Sequence, residues 1–290
     1  MKVIDTHVHL WWRGDGFPVR IRDRIPALDA DFLLDDLAAC APGVTVDRIV
    51  LVSSAQAAAE TERLLAVADR SRDTVAGVIG FLHPDQHDFS HALAHWAGRE
   101  DFLGLRLPLV VFDDPAWIRG ERVKAALFDI ARNGLVAQVL AAPEHLDHCT
   151  RALEMHSELI CVLDHAGNPP VRSGAFEPWA SSIDRFAGRV NAWCKVSDFH
   201  QAGDPALSDE QILPYLHHVI TVFGSERMVA GSNWPVSSLR ESYGTTFSRL
   251  DRMMLRLGLE TPRREAILHK NASRLIAAVQ GRRTGLSLSR

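Results

Sequence analysis

The chain is poor in cysteine. Its four (Cys40, Cys149, Cys161 and Cys194) stand far apart in 290 residues, with no CxxC pair. That excludes a zinc knuckle and a disulfide framework, and points to reduced thiols in a cytoplasmic protein. Basic charge is not in excess: 32 Lys and Arg stand against 36 Asp and Glu, a net charge of −4. Nucleic acid and anionic membrane surfaces both want a basic face, so neither is expected as a partner. No apolar run reaches the roughly 18 residues of a membrane span. The start MKVIDTHVHL is too short and polar for a signal peptide. Linkers rich in Pro, Gly or Ser, internal repeats and low-complexity tracts are absent too. What remains is 47% hydrophobic, ample for a large core. The expected organisation is one domain over residues 1–278 and a polar, basic, mobile tail over 279–290.

Eight short apolar runs punctuate the chain. They are Val3–Ile4, Ile49–Val52, Val75–Phe81, Phe102–Leu107, Leu135–Leu140, Leu159–Leu163, Val190–Val196 and Met228–Gly231. Rich in Val, Ile and Leu, they read as strands of a parallel sheet buried on both faces. Amphipathic stretches lie between them, among them Glu60–Asp69, Glu121–Asn133, Asp209–Phe223 and Ser248–Leu257. Gly134 supplies a helix stop after the second of these. Eight strand–helix alternations predict an α/β fold, a single-domain (β/α)8 TIM barrel. The rival, a doubly wound open sheet, lacks a GxGxxG after its first strand.

In such a barrel the reactive groups sit where the strands end. After the first run come His7 and His9. Two residues apart in an extended chain, they face the same point, as a metal or an anionic substrate requires. Chance alone gives roughly 0.7 such pairs in a chain with this many histidines, so position strengthens the motif more than spacing does. After the fourth run, Arg106 is a guanidinium in an apolar strand. It suits a substrate carboxylate, or a structural pair with an acidic residue. Gln138 is a polar lining candidate after the fifth run. His165 leaves the sixth run into a Gly/Pro turn, and Asp164, one residue earlier, is expected on the opposite face as support. Lys195, Ser197, Asp198 and His200 follow the seventh run, and Asn233 and Trp234 the eighth. His87, His91 and His95 recur every four residues, which reads as a solvated helix face. His145 and His148 read the same way, and His217 and His218 diverge on a helix.

Taken together, these stretches resemble the amidohydrolase superfamily, in the branch of sugar-acid and pyrone-dicarboxylate lactonases. The matching segments are Ile4–Trp11, Gly104–Leu109, Val162–Pro170, Cys194–Ser197 and Gly231–Val236. They run in the family's order from first strand to last, so the resemblance covers nearly the whole chain. It implies a (β/α)8 barrel that opens the lactone ring of a small acid or sugar acid. His7, His9 and His165 would line the site, binding one divalent metal such as Zn or Mn in some members and the substrate directly in metal-free ones. Arg106, Gln138, Lys195, His200 and Trp234 would contact a carboxylate or lactone substrate. Homo-oligomers are common among barrels of this size.

One position departs from the pattern. The family mostly carries Asp after the eighth strand (GSDWPV), where this chain has Asn233. That Asp is the usual general base, and a carboxamide has no useful basicity near neutral pH. Asn233 then orients water while Asp198, which stands where the family usually has Gly, or His165 or His200 acts as base. The alternatives are a metal-dependent decarboxylase, an amide-bond hydrolase, or a barrel that binds a small acid without turnover.

Overall fold

The computed structural model describes residues 1–13, 25–40, 44–199 and 206–287. Its eight parallel strands pair in sequence order: β1 (Lys2–Val8), β2 (Thr45–Val52), β3 (Val75–Gly80), β4 (Phe102–Pro108), β5 (Val136–Leu140), β6 (Ile160–Leu163), β7 (Ala192–Val196) and β8 (Met228–Ala230). Each expected apolar run is a strand. β1 goes further than its two apolar residues implied and carries His7 within it. The described helices are α1 (Leu34–Ala39), α2 (Ala58–Arg70), α3 (Phe89–Ala97), α4 (Glu121–Arg132), α5 (Pro143–Leu153), α6 (Trp179–Ala187), α7 (Asp209–Phe223), α8 (Tyr243–Arg256), α9 (Thr261–Glu265) and α10 (Asn271–Ser287). α8 starts five residues before the expected Ser248, because Ser242 caps it by accepting from the Thr245 amide.

The strands are apolar on both faces because both are covered. Leu105, Leu107, Val139 and Leu163 pack outward under the helices, in one cluster with Leu64, Leu127, Leu146 and Ile183. Ile4, Val50, Ile79, Leu103, Val136, Val162 and Val229 pack inward. α10 closes the floor of the barrel by inserting Ala272, Ile276 and Val279 against that inner layer. Burying each such aliphatic side chain contributes about 1.5–3 kcal/mol. The packed chain therefore continues past residue 278, and residues 288–290 lie outside the described residues. Gly104 permits the close approach of β4 to β5: a Cβ there would overlap the Val136 carbonyl. Among the described residues, no helix is long and apolar enough to cross a membrane.

Among the described residues, no regular ladder joins β8 to β1. The segment after β8 closes the ring instead: Asn233 donates its amide to the His7 carbonyl (2.9 Å), and His9 donates to the Trp234 carbonyl (2.8 Å). Asp5 anchors this seam with no solvent exposure. Its Oδ1 accepts from the amides of His7 (3.0 Å) and Ser232 (2.9 Å), and its Oδ2 accepts from the Tyr243 hydroxyl (2.9 Å). Replacing Asp5 by Ala strands three buried donors, so Asp5→Ala is expected to cost about 3 kcal/mol. Urea unfolding followed by circular dichroism reads this directly, and an unchanged midpoint removes the seam from the account.

Candidate active site

β1 delivers the two imidazoles as its alternation requires. His7 and His9 are both buried, with their Nε2 atoms 3.1 Å apart, and His9 Nδ1 lies 2.7 Å from the Val52 carbonyl of β2. Gly231 leaves room for this pair, since a Cβ there would stand 2.7 Å from the His7 Cβ. From β6 the chain turns sharply. His165 and Ala166 take left-handed backbone angles (φ 50° and 51°), which non-glycine residues adopt at a cost on the order of 1 kcal/mol each. The turn brings the His165 ring to within 4.6 Å of His7, centroid to centroid, and sets its Nδ1 2.8 Å from the Ser197 hydroxyl. Asp164, expected on the opposite face, points into the same cluster by the alternation of β6, in step with the inward Val162, and the turn brings His165 round to join it.

A polar layer lies beneath the imidazoles. Lys195 Nζ donates to the Thr6 carbonyl (2.9 Å), to Gln138 Oε1 (2.7 Å) and to His7 Nδ1 (3.2 Å). Gln138 uses its other end on Asp164 Oδ2 (3.1 Å). Lys195 and Gln138 are thus about 1–2% exposed and engaged below the imidazoles rather than facing the mouth. Arg106 takes the structural alternative: Nε pairs with Asp164 Oδ2 (3.2 Å) and Nη1 donates to the Ser53 carbonyl (3.0 Å). Its Nη2 makes no hydrogen bond among the described residues.

Past β8, Asn233 also sits in the left-handed region (φ 60°), where Asn is among the tolerated residues. It donates Nδ2–H to Asp198 Oδ2 (2.9 Å), which also receives Arg240 Nη1 (3.3 Å). Trp234 is buried and packs on Phe32, so it walls the seam. His200 lies outside the described residues. His87, His91 and His95 are exposed, and His145 is a buried helix cap that accepts from the Ala142 amide. Arg240 and the inward Asp164 escaped the sequence reading. The only signal for Asp164 was its place beside His165, and Arg240 reaches Asp198 from a loop with no motif.

Burial dominates the electrostatics. It pushes His9 down to about 3, helped by the Arg106 charge, and His165 down to about 4. Burial and the Lys195 charge hold His7 well below the usual imidazole range. Burial lowers Lys195 to about 8, against the pull of Asp164. For Asp164, burial opposes ionisation, yet the Lys195 and Arg106 charges hold it well below the carboxylate range. At neutral pH the bowl contains neutral imidazoles over two cations and one carboxylate, with the Asp198–Arg240 ion pair at its side.

The donor set fits a divalent ion. Two nitrogens bound at 2.0–2.1 Å at a tetrahedral angle stand about 3.3 Å apart, close to the separation of the paired Nε2 atoms. Ligand atoms of His7, Asp164 and His165 all lie within 4.8 Å of one another. Asp164 Oδ1, fully buried, has no hydrogen-bond partner among the described residues, and a ligating histidine commonly donates its second ring N–H to such an oxygen.

Comparison with known proteins agrees with the fold. Over 244 residues, 83% of each chain, the protein is 31% identical to L-fucono-1,5-lactonase of Burkholderia ambifaria. A crystal structure of an amidohydrolase from Burkholderia multivorans with bound zinc superposes with a TM-score of 0.86 at 24% identity, covering 96% of this chain and 99% of that one. A Pseudomonas putida protein named as a candidate 2-pyrone-4,6-dicarboxylic acid hydrolase superposes with a TM-score of 0.75 at 24% identity, covering 95% and 97%. These structures share the fold, and the amidohydrolase profile matches residues 4–277. The chain belongs to the amidohydrolase family.

Proposed function

We propose that the protein opens the ring ester of a small lactone, of the sugar-acid or acidic type, by attack of water on the carbonyl carbon. The observation that carries the reading is the carboxylate of Asp198 against Asn233, in a bowl lined by three buried imidazoles. The kinship with an L-fucono-1,5-lactonase supports it. Asp198 is the general base, held in one orientation by Asn233 and Arg240. Water adds to the carbonyl carbon and its proton passes to Asp198. The ring C–O bond then breaks, and the proton goes on to the departing ring oxygen. The product is a hydroxy acid. His7 offers an N–H to the oxygen that gains charge, and the excess of cations beneath favours that charge. The Nη2 of Arg106 takes a substrate oxygen. A divalent ion, zinc or manganese, would be held by His7, His9 and His165. When bound it supplies Lewis-acid polarisation of the carbonyl.

Acid release at fixed pH, measured on a panel of aldonolactones and pyrone acids with and without added Zn²⁺ or Mn²⁺, tests the reading. Turnover of at least one lactone is expected, and carbon dioxide release in place of acid would identify a decarboxylase.

A second measurement addresses the base. Asp198→Asn is expected to lower kcat by about 10²–10⁴. Asn233→Asp is also expected to lose activity, because it sets two carboxylates face to face where Asn233 now donates. Joining the two changes reverses the hydrogen bond and is expected to recover turnover. A double variant no better than either single one rules out Asp198 as base.

A further inference from the structure

Lys195 is the buried charged group that the reaction above leaves without a task. We propose that it is a positioning residue, which holds His7 with its single ring proton on Nε2 and so makes His7 a donor in the protein without metal. This deepens the lactonase reading and rests on it for its catalytic meaning.

The argument starts at the Val52 carbonyl, which can only accept. His9 Nδ1 lies 2.7 Å from it and must carry a proton. Lys195 Nζ, which can only donate, stands 3.2 Å from His7 Nδ1, so that nitrogen offers a lone pair and the ring proton of His7 sits on Nε2. The contact between the two Nε2 atoms, 3.1 Å apart, needs one donor and one acceptor, and His9, with its proton on Nδ1, supplies the acceptor.

The proton count of the ammonium agrees. Its three N–H groups have three acceptors: the Thr6 carbonyl, Gln138 Oε1 and His7 Nδ1. Asp164 Oδ1 lies 3.3 Å from the same Nζ and 3.4 Å from His7 Nδ1, yet no donor remains for it, and it is the buried oxygen without a hydrogen bond. The other tautomer would satisfy Asp164 through His7 Nδ1–H. It would also set Nε2 against Nε2 as two acceptors and the ammonium against an N–H.

The two groups behind His7 therefore pull in opposite directions. Lys195 keeps Nδ1 free of its proton and Nε2 protonated; that N–H faces His9 Nε2 and turns to a carbonyl oxygen when substrate enters. A cation on His7 Nε2 needs the proton moved to Nδ1, where Asp164 Oδ1 can accept it and Lys195 must release it.

The test reads the ring nitrogens of His7 by ¹⁵N NMR in the metal-stripped protein, with His7→Gln to assign the signals. The expected spectrum has Nε2 protonated and Nδ1 bare, and the reverse pattern overturns the proposal. In Lys195→Met the tautomer preference is expected to fade, and zinc binding, measured by calorimetry, to tighten about tenfold or more as a nearby cation is removed. On a turned-over lactone, kcat is expected to fall while KM holds. A purely structural lysine would shift the melting temperature but leave tautomer and zinc affinity as in the parent, which also overturns the proposal. Where Lys195→Met fails to fold, the parent spectrum decides alone. Neither the spectrum nor the zinc titration uses a substrate, so failure of the lactonase reading and failure of this one are distinguishable.

Discussion

The carboxylate of Asp5 is the constraint on which the site depends. It has no access to solvent, and burial raises its proton affinity despite the Ser232, His7 and Tyr243 groups that donate to it. Such a group persists only where several donors converge. Here they come from β1 itself, from the turn after β8 and from the start of α8, so one side chain ties together the two ends of the barrel. The backbone bonds of Asn233 and Trp234 to His7 and His9 follow from that closure. The last seam of the ring and the reactive mouth are made of the same residues.

Above the seam, the balance of charge decides what the bowl attracts. Lys195 and Arg106 face one carboxylate, Asp164, and the imidazoles add no charge near neutral pH. A surplus of positive charge in a dry site favours a group that gains negative charge, as a carbonyl oxygen does under attack. The same surplus opposes a divalent ion, even though the histidine nitrogens are well spaced for one. The Asp164 Oδ1, charged and without a hydrogen bond among the described residues, is what offsets that opposition.

Much of this was legible in the sequence, for identifiable reasons. Runs apolar on both faces carry no period of their own, but their shortness, their Val, Ile and Leu content and the helix-length stretches between them marked all eight strands, and the strand ends then located His7, His9, His165 and Asn233. Direction along a strand was legible only where the chain stayed extended. Asp164 was expected to face away from His165; strand alternation keeps it inward, and the left-handed turn at His165 and Ala166 brings the imidazole round to the same side. Lys195, Gln138 and Arg106 could be placed on their strands but not at a height within the barrel. The floor built by α10 and the polar layer above it set that height, and both depend on contacts between residues far apart in the chain. Arg240 carried no periodic or motif signal.

The departure at Asn233 has a physical counterpart on the neighbouring strand. A carboxylate at 233 would stand about 3 Å from that of Asp198, in a site with little water to screen them, and such a pair cannot hold both charges near neutral pH. With a carboxamide at 233, Nδ2–H meets the carboxylate and the repulsion becomes a hydrogen bond of 2.9 Å. Asp198 in turn occupies the position where the family usually has Gly, so a negative charge is present at the mouth, but it issues from β7 rather than β8. Asn suits the left-handed backbone at 233 as well as Asp would, so the exchange leaves the seam undisturbed. The two positions are coupled: either carboxylate alone fits this mouth, and both together do not.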